Sequence, residues 1–140
     1  MTGGLSHITF VVRDLDRMET VLTRVLDARR IYDSGDAPMS LSPERFYDIG
    51  GVWVAVMQGD PLPERSYNHV AFHVADDDLD DRLARIRALG LDVRPGRPRV
   101  PGEGRSIYFH DFDNHLFELH SGTRAGRLQA YAARDQAAGS

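Results

Sequence analysis

The chain contains no cysteine. That excludes disulfides, thiolate metal ligands and a cysteine nucleophile, so any metal must be held by His, Asp, Glu, water or substrate. There is no excess of positive charge either: 17 basic residues stand against 21 acidic ones, for a net charge of −4. A nucleic-acid binder is therefore not expected. No apolar run approaches the roughly 20 residues of a membrane span. The N-terminus lacks the basic flank and apolar core of a signal peptide, which makes the cytoplasm the expected location. The rest is ordinary for a soluble globular protein, with 41% hydrophobic and 27% charged residues. A length of 140 residues fits one compact domain, or two small halves sharing a core.

What the sequence does contain is a repeat. Ser6-His7-Ile8-Thr9-Phe10-Val11-Val12 leads into Asp14; Asn68-His69-Val70-Ala71-Phe72-His73-Val74 leads into Asp76. His7 aligns with His69, Phe10 with Phe72, Val12 with Val74 and Asp14 with Asp76, always at an offset of 69 − 7 = 62. A repeat at this spacing means one supersecondary unit used twice.

Each copy reads as βαβββ. Leu5–Val12 alternates as a strand does, with Ile8, Phe10 and Val12 on one face and His7, Thr9 and Val11 on the other. Asp14 or Asp16 can cap the helix that follows. Leu15, Met18, Val21, Leu22, Val25 and Leu26 give that helix one apolar face, expected to cover the Phe10 side. Arg29–Tyr32 is a second strand, and 33–42 a loop. Ser42-Pro43-Glu44 is expected to begin a short helical turn. Phe46–Ile49 and Val52–Met57 flank the tight-turn pair Gly50-Gly51. In the second copy Tyr67–Val74 is a strand, 76–89 a helix stopped by Gly90, and Leu91–Arg94 a short strand. Ser106–His110 and His115–His120 flank the turn-forming run Asp111-Phe112-Asp113-Asn114. The expected architecture is α+β: a first module at 1–58, a linker at 59–66, a second module at 67–122, and a tail at 123–140 with one short helix through Leu128 and Tyr131 and a frayed end.

Candidate ligands fall on strands: His7, His69 and Glu118. If the two modules pack as a pseudo-symmetric pair, two imidazoles and one carboxylate converge on a common cleft. That set suits a divalent first-row metal with open positions for water and substrate. The residues alone leave a second reading open, in which the histidines are hydrogen-bonded sheet residues and Glu118 is a solvated strand residue.

The segments Ser6-His7-Ile8-Thr9-Phe10, Asn68-His69-Val70-Ala71-Phe72 and Phe117-Glu118-Leu119-His120 resemble the metal-ligand strands of the vicinal oxygen chelate superfamily (the glyoxalase, bleomycin resistance and dioxygenase proteins). Within it the chain is similar to the fosfomycin resistance proteins. The likeness runs nearly end to end and is most specific at Gly102-Glu103-Gly104-Arg105-Ser106-Ile107-Tyr108-Phe109. The resemblance implies that His7, His69 and Glu118 hold Mn²⁺, other divalent first-row metals being possible. It implies a swapped homodimer, the first histidine coming from one subunit and the other two ligands from its partner. It also implies that Thr9, Trp53, Tyr67, Ser106, Tyr108 and Arg127 line the substrate pocket. Arg127 would pair with the phosphonate, Ser106 and Tyr108 would donate to it, and Thr9 would lie near the oxirane.

Members of that family open the same epoxide with glutathione, another small thiol, or water. Glu44 points to water, because the water-using type carries a glutamate there and water as a nucleophile benefits from a general base. Without the family, Glu44 reads as a helix-start carboxylate. The glutathione type has a monovalent-cation loop rich in Lys and Ser, replaced here by Arg97-Pro98-Arg99-Val100-Pro101. Met57 adds apolar bulk that would disfavour a bulky thiol. The expected activity is thus a Mn²⁺-dependent fosfomycin epoxide hydrolase needing no glutathione. The rivals are a fosfomycin thiol transferase and a metal-free drug-binding protein of the same fold. A glyoxalase would want a second carboxylate ligand in the first module, where Val54-Ala55-Val56-Met57 offers none.

Overall fold

The computed structural model describes residues 1–139. Its elements run β1 (His7–Val12), α1 (Leu15–Leu26), β2 (Arg29–Asp33), β3 (Glu44–Ile49), β4 (Val52–Gln58), β5 (His69–His73), α2 (Leu79–Ala88), β6 (Asp92–Arg94), β7 (Ser106–His110), β8 (Leu116–His120) and α3 (Arg124–Ala138). The strands form two four-stranded sheets, in the orders β1-β4-β3-β2 and β5-β8-β7-β6. In each sheet the module's first strand lies parallel to its last, and the other neighbours are antiparallel. These are the two α+β modules of βαβββ order that the repeat implies. The chain divides into two compact units: residues 1–66 with Asp111–His115, and residues 67–110 with those from 116 on.

In the first unit, the Asp14 carboxylate accepts the Arg17 N–H at 3.0 Å and caps α1. Met18, Val21, Leu22, Val25 and Leu26 are buried, as are Phe10, Val12, Tyr47, Ile49, Val54 and Val56 on β1, β3 and β4. Strand alternation puts those sheet residues on one face and leaves His7, Thr9, Glu44, Phe46, Trp53, Ala55 and Met57 on the other. Gly50 and Gly51 both have positive φ, +57° and +88°, as a tight hairpin turn with the sheet's twist requires. The helical turn expected at Ser42-Pro43-Glu44 is not there. Glu44 instead opens β3 opposite Met57. Its N–H donates to Ser34 Oγ at 3.0 Å, its carbonyl accepts the Ser34 N–H at 3.0 Å, and Pro43 O accepts the Gln58 N–H at 2.9 Å. Strand pairing from both sides uses the backbone groups that a helical turn would need.

The Asp111–Asn114 turn belongs to this first unit. The Asp111 carboxylate accepts the Asp113 and His115 N–H groups, each at 2.9 Å, and lies 2.7 Å from His115 Nδ1. Asn114 takes a left-handed φ of +69°, which a short amide side chain tolerates. Asp113 accepts Arg13 N–H and Nε–H, both at 3.1 Å.

In the second unit, Phe72, Phe109 and Phe117 stack on one sheet face, with centroids 6.5 and 5.5 Å apart from Phe117. Leu79 and Ile86 of α2 are buried. The helix expected over 76–89 begins as a 3-10 turn at Asp76–Asp78, where Asp76 is taken by Arg105 Nε at 2.9 Å and Ser121 Oγ at 3.0 Å. Gly90 follows α2 at φ +73°, as expected. The C-terminal helix is longer than the short one expected. It spans 15 residues, because Thr123 caps it by accepting the Gly126 N–H at 3.0 Å and the alanines favour helix over fraying. No described helix is long and apolar enough to cross a membrane.

Candidate functional site

Most of the expected site residues fall on the non-helical faces of the two sheets; Tyr67 just precedes β5 and Arg127 lies on α3. In the first unit, His7 and Thr9 lie on β1, exposed. The His7 ring sits 4.2 Å from Trp53, its pairing partner on β4, and its Nδ1 is 3.1 Å from Ser6 Oγ. Trp53 meets Phe46 edge-on at 5.2 Å. Glu44 shares this face and is 8% exposed. Its carboxylate makes no hydrogen bond or ion pair among the described residues, a state that suits a base more than a structural anchor.

The second unit gathers Tyr67, His69, Ser106, Tyr108, Glu118 and Arg127. His69 Nδ1 lies 2.7 Å from the carbonyl of Tyr67. A carbonyl can only accept, so the proton is on Nδ1 and the Nε2 lone pair points away. Nε2 sits 3.0 Å from Glu118 Oε1. Two acceptors this close need a proton or a cation between them. The spacing also matches neighbouring ligands on a dication, because donors about 2.1 Å from the ion and at right angles are about 3 Å apart. The donor set therefore fits a first-row metal, and the carbonyl behind His69 is the outer partner that such ligands usually have. Among the described residues no three His, Asp or Glu side chains gather to hold a metal.

Glu118 is held as tightly on its other oxygen. Ser106 Oγ donates to Oε2 at 2.6 Å, and Arg99 Nη2 lies 3.4 Å away. Burial pushes this carboxyl up, but hydrogen bonds from Ser106 and Tyr108 and the Arg99 charge outweigh it, leaving Glu118 below its ordinary value. Since the Ser106 proton goes to Glu118, the His120 Nδ1 at 2.7 Å must donate to Ser106, and His120 Nε2 then accepts from Arg127 Nη2 at 3.3 Å. The Ser106 hydroxyl is thus a support for Glu118 here, and no free donor. Tyr67 donates to the Tyr108 hydroxyl at 3.2 Å. Burial, then the Tyr67 contact and the Glu118 charge, push the Tyr108 phenol well up, so it stays a neutral donor. Burial and the cations Arg127 and Arg99 lower His120 against the pull of Glu118.

A family model described as the Glyoxalase/Bleomycin resistance protein/Dioxygenase superfamily matches residues 4–119. The chain belongs to this superfamily. Fosfomycin resistance protein FosX of Mesorhizobium japonicum is 57% identical over 138 residues, covering 99% of this chain and 99% of its own length. A crystal structure of a glutamine-for-glutamate mutant of FosX from Listeria monocytogenes, complexed with Mn(II) and 1S,2S-dihydroxypropylphosphonic acid, superposes with a TM-score of 0.85. It is 50% identical and covers 94% of this chain and 99% of its own. Metallothiol transferase FosB of Shouchella clausii is 36% identical, over 94% of this chain and 88% of its own length.

Around the glyoxalase-superfamily strands lies a shell that sequence reasoning did not assign. Arg99 donates Nη2 to Ser106 Oγ at 2.8 Å and to the Tyr108 hydroxyl at 2.9 Å. Glu103, His120 and Tyr131 complete it. In the sequence, Arg97-Pro98-Arg99 stands only as a departure from a cation-binding loop; in the fold it brings a guanidinium to Ser106 and Tyr108. Glu103 lay inside the most specific motif, Gly102–Phe109, and that was the available signal.

Proposed function

We propose that the protein is a Mn²⁺-dependent hydrolase that adds water to C1 of the epoxide of fosfomycin, conferring resistance as a cytoplasmic homodimer. The observation that carries the reading is the His69–Glu118 pair, with a tautomer fixed by the Tyr67 carbonyl and two donor atoms 3.0 Å apart. His69 and Glu118 hold the metal together with His7 of a second copy of the chain. Bound there, Mn²⁺ supplies Lewis acidity to the oxirane oxygen.

The protein's own groups do the rest. Arg127 binds the phosphonate through its guanidinium, while Tyr108, a phenol that stays protonated, gives its one proton to Glu118. Ser106 acts through Glu118, whose Oε2 it holds. Thr9 and Trp53, which share the His7 face, come from the second copy with that histidine, Thr9 beside the oxirane and Trp53 walling the pocket together with Tyr67. Glu44, from the same copy as that His7, takes a proton from the attacking water, which approaches C1 opposite the breaking C–O bond; the opened oxygen takes up a proton from solvent water to give 1,2-dihydroxypropylphosphonate, and Glu44 returns its proton to solvent. Positioning of water and carbon in line lowers the entropic part of the barrier.

A phosphorus NMR time course of fosfomycin with enzyme and Mn²⁺, and no thiol, tests the reading. Conversion to the diol is expected. Conversion only when glutathione or another thiol is added establishes the transferase reading that the FosB relative favours. Drug binding that survives EDTA, with no turnover, establishes a binding protein.

A further inference from the structure

We propose that Glu103 is a positioning residue: its one carboxylate aims the guanidinium groups of Arg99 and Arg127 at the face bearing Ser106, Tyr108 and Glu118. The inference rests on the phosphonate-binding role given to that face above.

All 17 basic residues of the chain are arginines. Arginine is a flat fork, so fixing one edge of it fixes where the other edge points. Glu103 is 0% exposed, and a carboxylate that deep is costly unless it is paired. Its Oε1 accepts from Arg97 Nη2, from Arg99 Nη1 at 3.1 Å and from the Tyr131 hydroxyl at 2.8 Å, with Arg127 Nε at 3.5 Å; its Oε2 accepts the Val100 N–H at 3.1 Å. Arg97 first, then Tyr131, Val100 and Arg99, overcome burial and hold the carboxyl well below the usual range.

Two of these arginines give one nitrogen to Glu103 and turn another to the site. Arg99 gives Nη1 to Glu103 and Nη2 to Ser106, Tyr108 and Glu118, at 2.8, 2.9 and 3.4 Å. Arg127 gives Nε to Glu103 and Nη2 to His120 Nε2 at 3.3 Å. The carboxylate itself has little freedom to follow a moving partner. Gly104 sits at φ +94°, and a Cβ on Gly122 would come 2.3 Å from Glu103 O. The backbone of residue 103 is therefore pressed onto Gly122, just after β8.

The alternative role for Glu103 is simple neutralisation of crowded cations, and the two roles predict opposite signs. Removing a negative charge beside three arginines tightens anion binding if the charge is all that matters. If Glu103 positions the forks, the same change weakens binding.

The test uses Mn²⁺-loaded protein, with inorganic phosphate as a probe in calorimetry and fosfomycin in steady-state kinetics. Glu103→Gln should weaken phosphate binding and raise KM about tenfold, with kcat within about threefold of wild type, as expected when oriented charge-assisted contacts are lost. Tighter or unchanged phosphate binding overturns the proposal, and so does a fall in kcat at constant KM. Should Glu103→Gln fail to fold, Tyr131→Phe is measured instead; it removes one hydrogen bond to Oε1 and should weaken phosphate binding about twofold to threefold, while no change overturns the proposal. Phosphate binding needs no turnover, so the two readings fail separately. Wild type that binds phosphate, loses it on substitution and hydrates nothing supports positioning and overturns the hydrolase; wild type that binds neither phosphate nor fosfomycin overturns both.

Discussion

The two sheets are built alike and furnished differently. His7 and His69 stand at equivalent places on β1 and β5. Thr9 pairs with Ala55, and Ala71 with Glu118, so Ala55 is the first sheet's counterpart of Glu118, the proposed acidic ligand. By the same registers Phe46 corresponds to Tyr108, Glu44 to Ser106 and Met57 to His120. The second face is a continuous polar network around a carboxylate. The first sets His7 and Thr9 beside aromatic and aliphatic side chains, with one buried glutamate that has no partner among the described residues. A duplicated scaffold can thus separate tasks that conflict on one face. A metal ligand needs hydrogen bonds that pin it and hold it ionised, whereas a base needs a proton-accepting oxygen left unoccupied.

The largest effect should come from the second face. Glu118→Ala removes the proposed ligand and leaves Ser106 and Arg99 facing a void. Mn²⁺ affinity, read by electron paramagnetic resonance titration, should fall by at least about 10²-fold, and turnover should vanish with it. Retained affinity would mean that the polar network serves something other than a metal. Next comes the first face. Glu44→Gln keeps the shape and removes the proposed base, so turnover should drop about 10²–10⁴-fold while Mn²⁺ affinity stays at the wild-type value. A loss of metal with the loss of rate would abolish the division of tasks between the sheets.

The repeat that opened this comparison was readable because its signal is local. A histidine, a phenylalanine and a capping aspartate recur at one offset, and strand alternation sorts the residues to faces without any three-dimensional knowledge. Helix α1 was readable for the same reason, since its apolar spacing and its Asp14 cap lie within one stretch. What escaped depends on distant partners. Ser42-Pro43-Glu44 looks helical on its own and becomes strand only because β4 lies beside it. Arg99 and Glu103 sit in a loop rich in proline and glycine, and their meaning comes from β7, β8 and α3. No spacing rule links position 103 to positions 127 and 131 before the chain is folded.

The helices differ as the faces do. Helix α1 buries five side chains and α2 only two. Leu22→Ala, at a position with 0% exposure, should cost about 2–5 kcal/mol in urea unfolding. Leu83→Ala on half-buried ground in α2 should cost about 1 kcal/mol. Equal costs would show that the first module gains nothing from its deeper helix packing.

The finest contrast lies where these helices end. Each chain reversal needs a left-handed residue: Gly90 supplies it after α2 at φ +73°, but Asp27 supplies it after α1 at φ +53°. An L-residue with a Cβ is strained there, and aspartate is among the few that tolerate it. Asp27→Gly relieves the strain and also gives the unfolded chain more freedom, so the two terms nearly cancel. The strain is the larger, and a gain of about 0.5 kcal/mol is expected in urea unfolding. Gly90→Asp should lose about the same amount, since nothing crowds the position of the added Cβ within 4 Å and only the backbone conformation opposes it. A destabilised Asp27→Gly would mean that the side chain of Asp27, and not its backbone angle, is what ends α1.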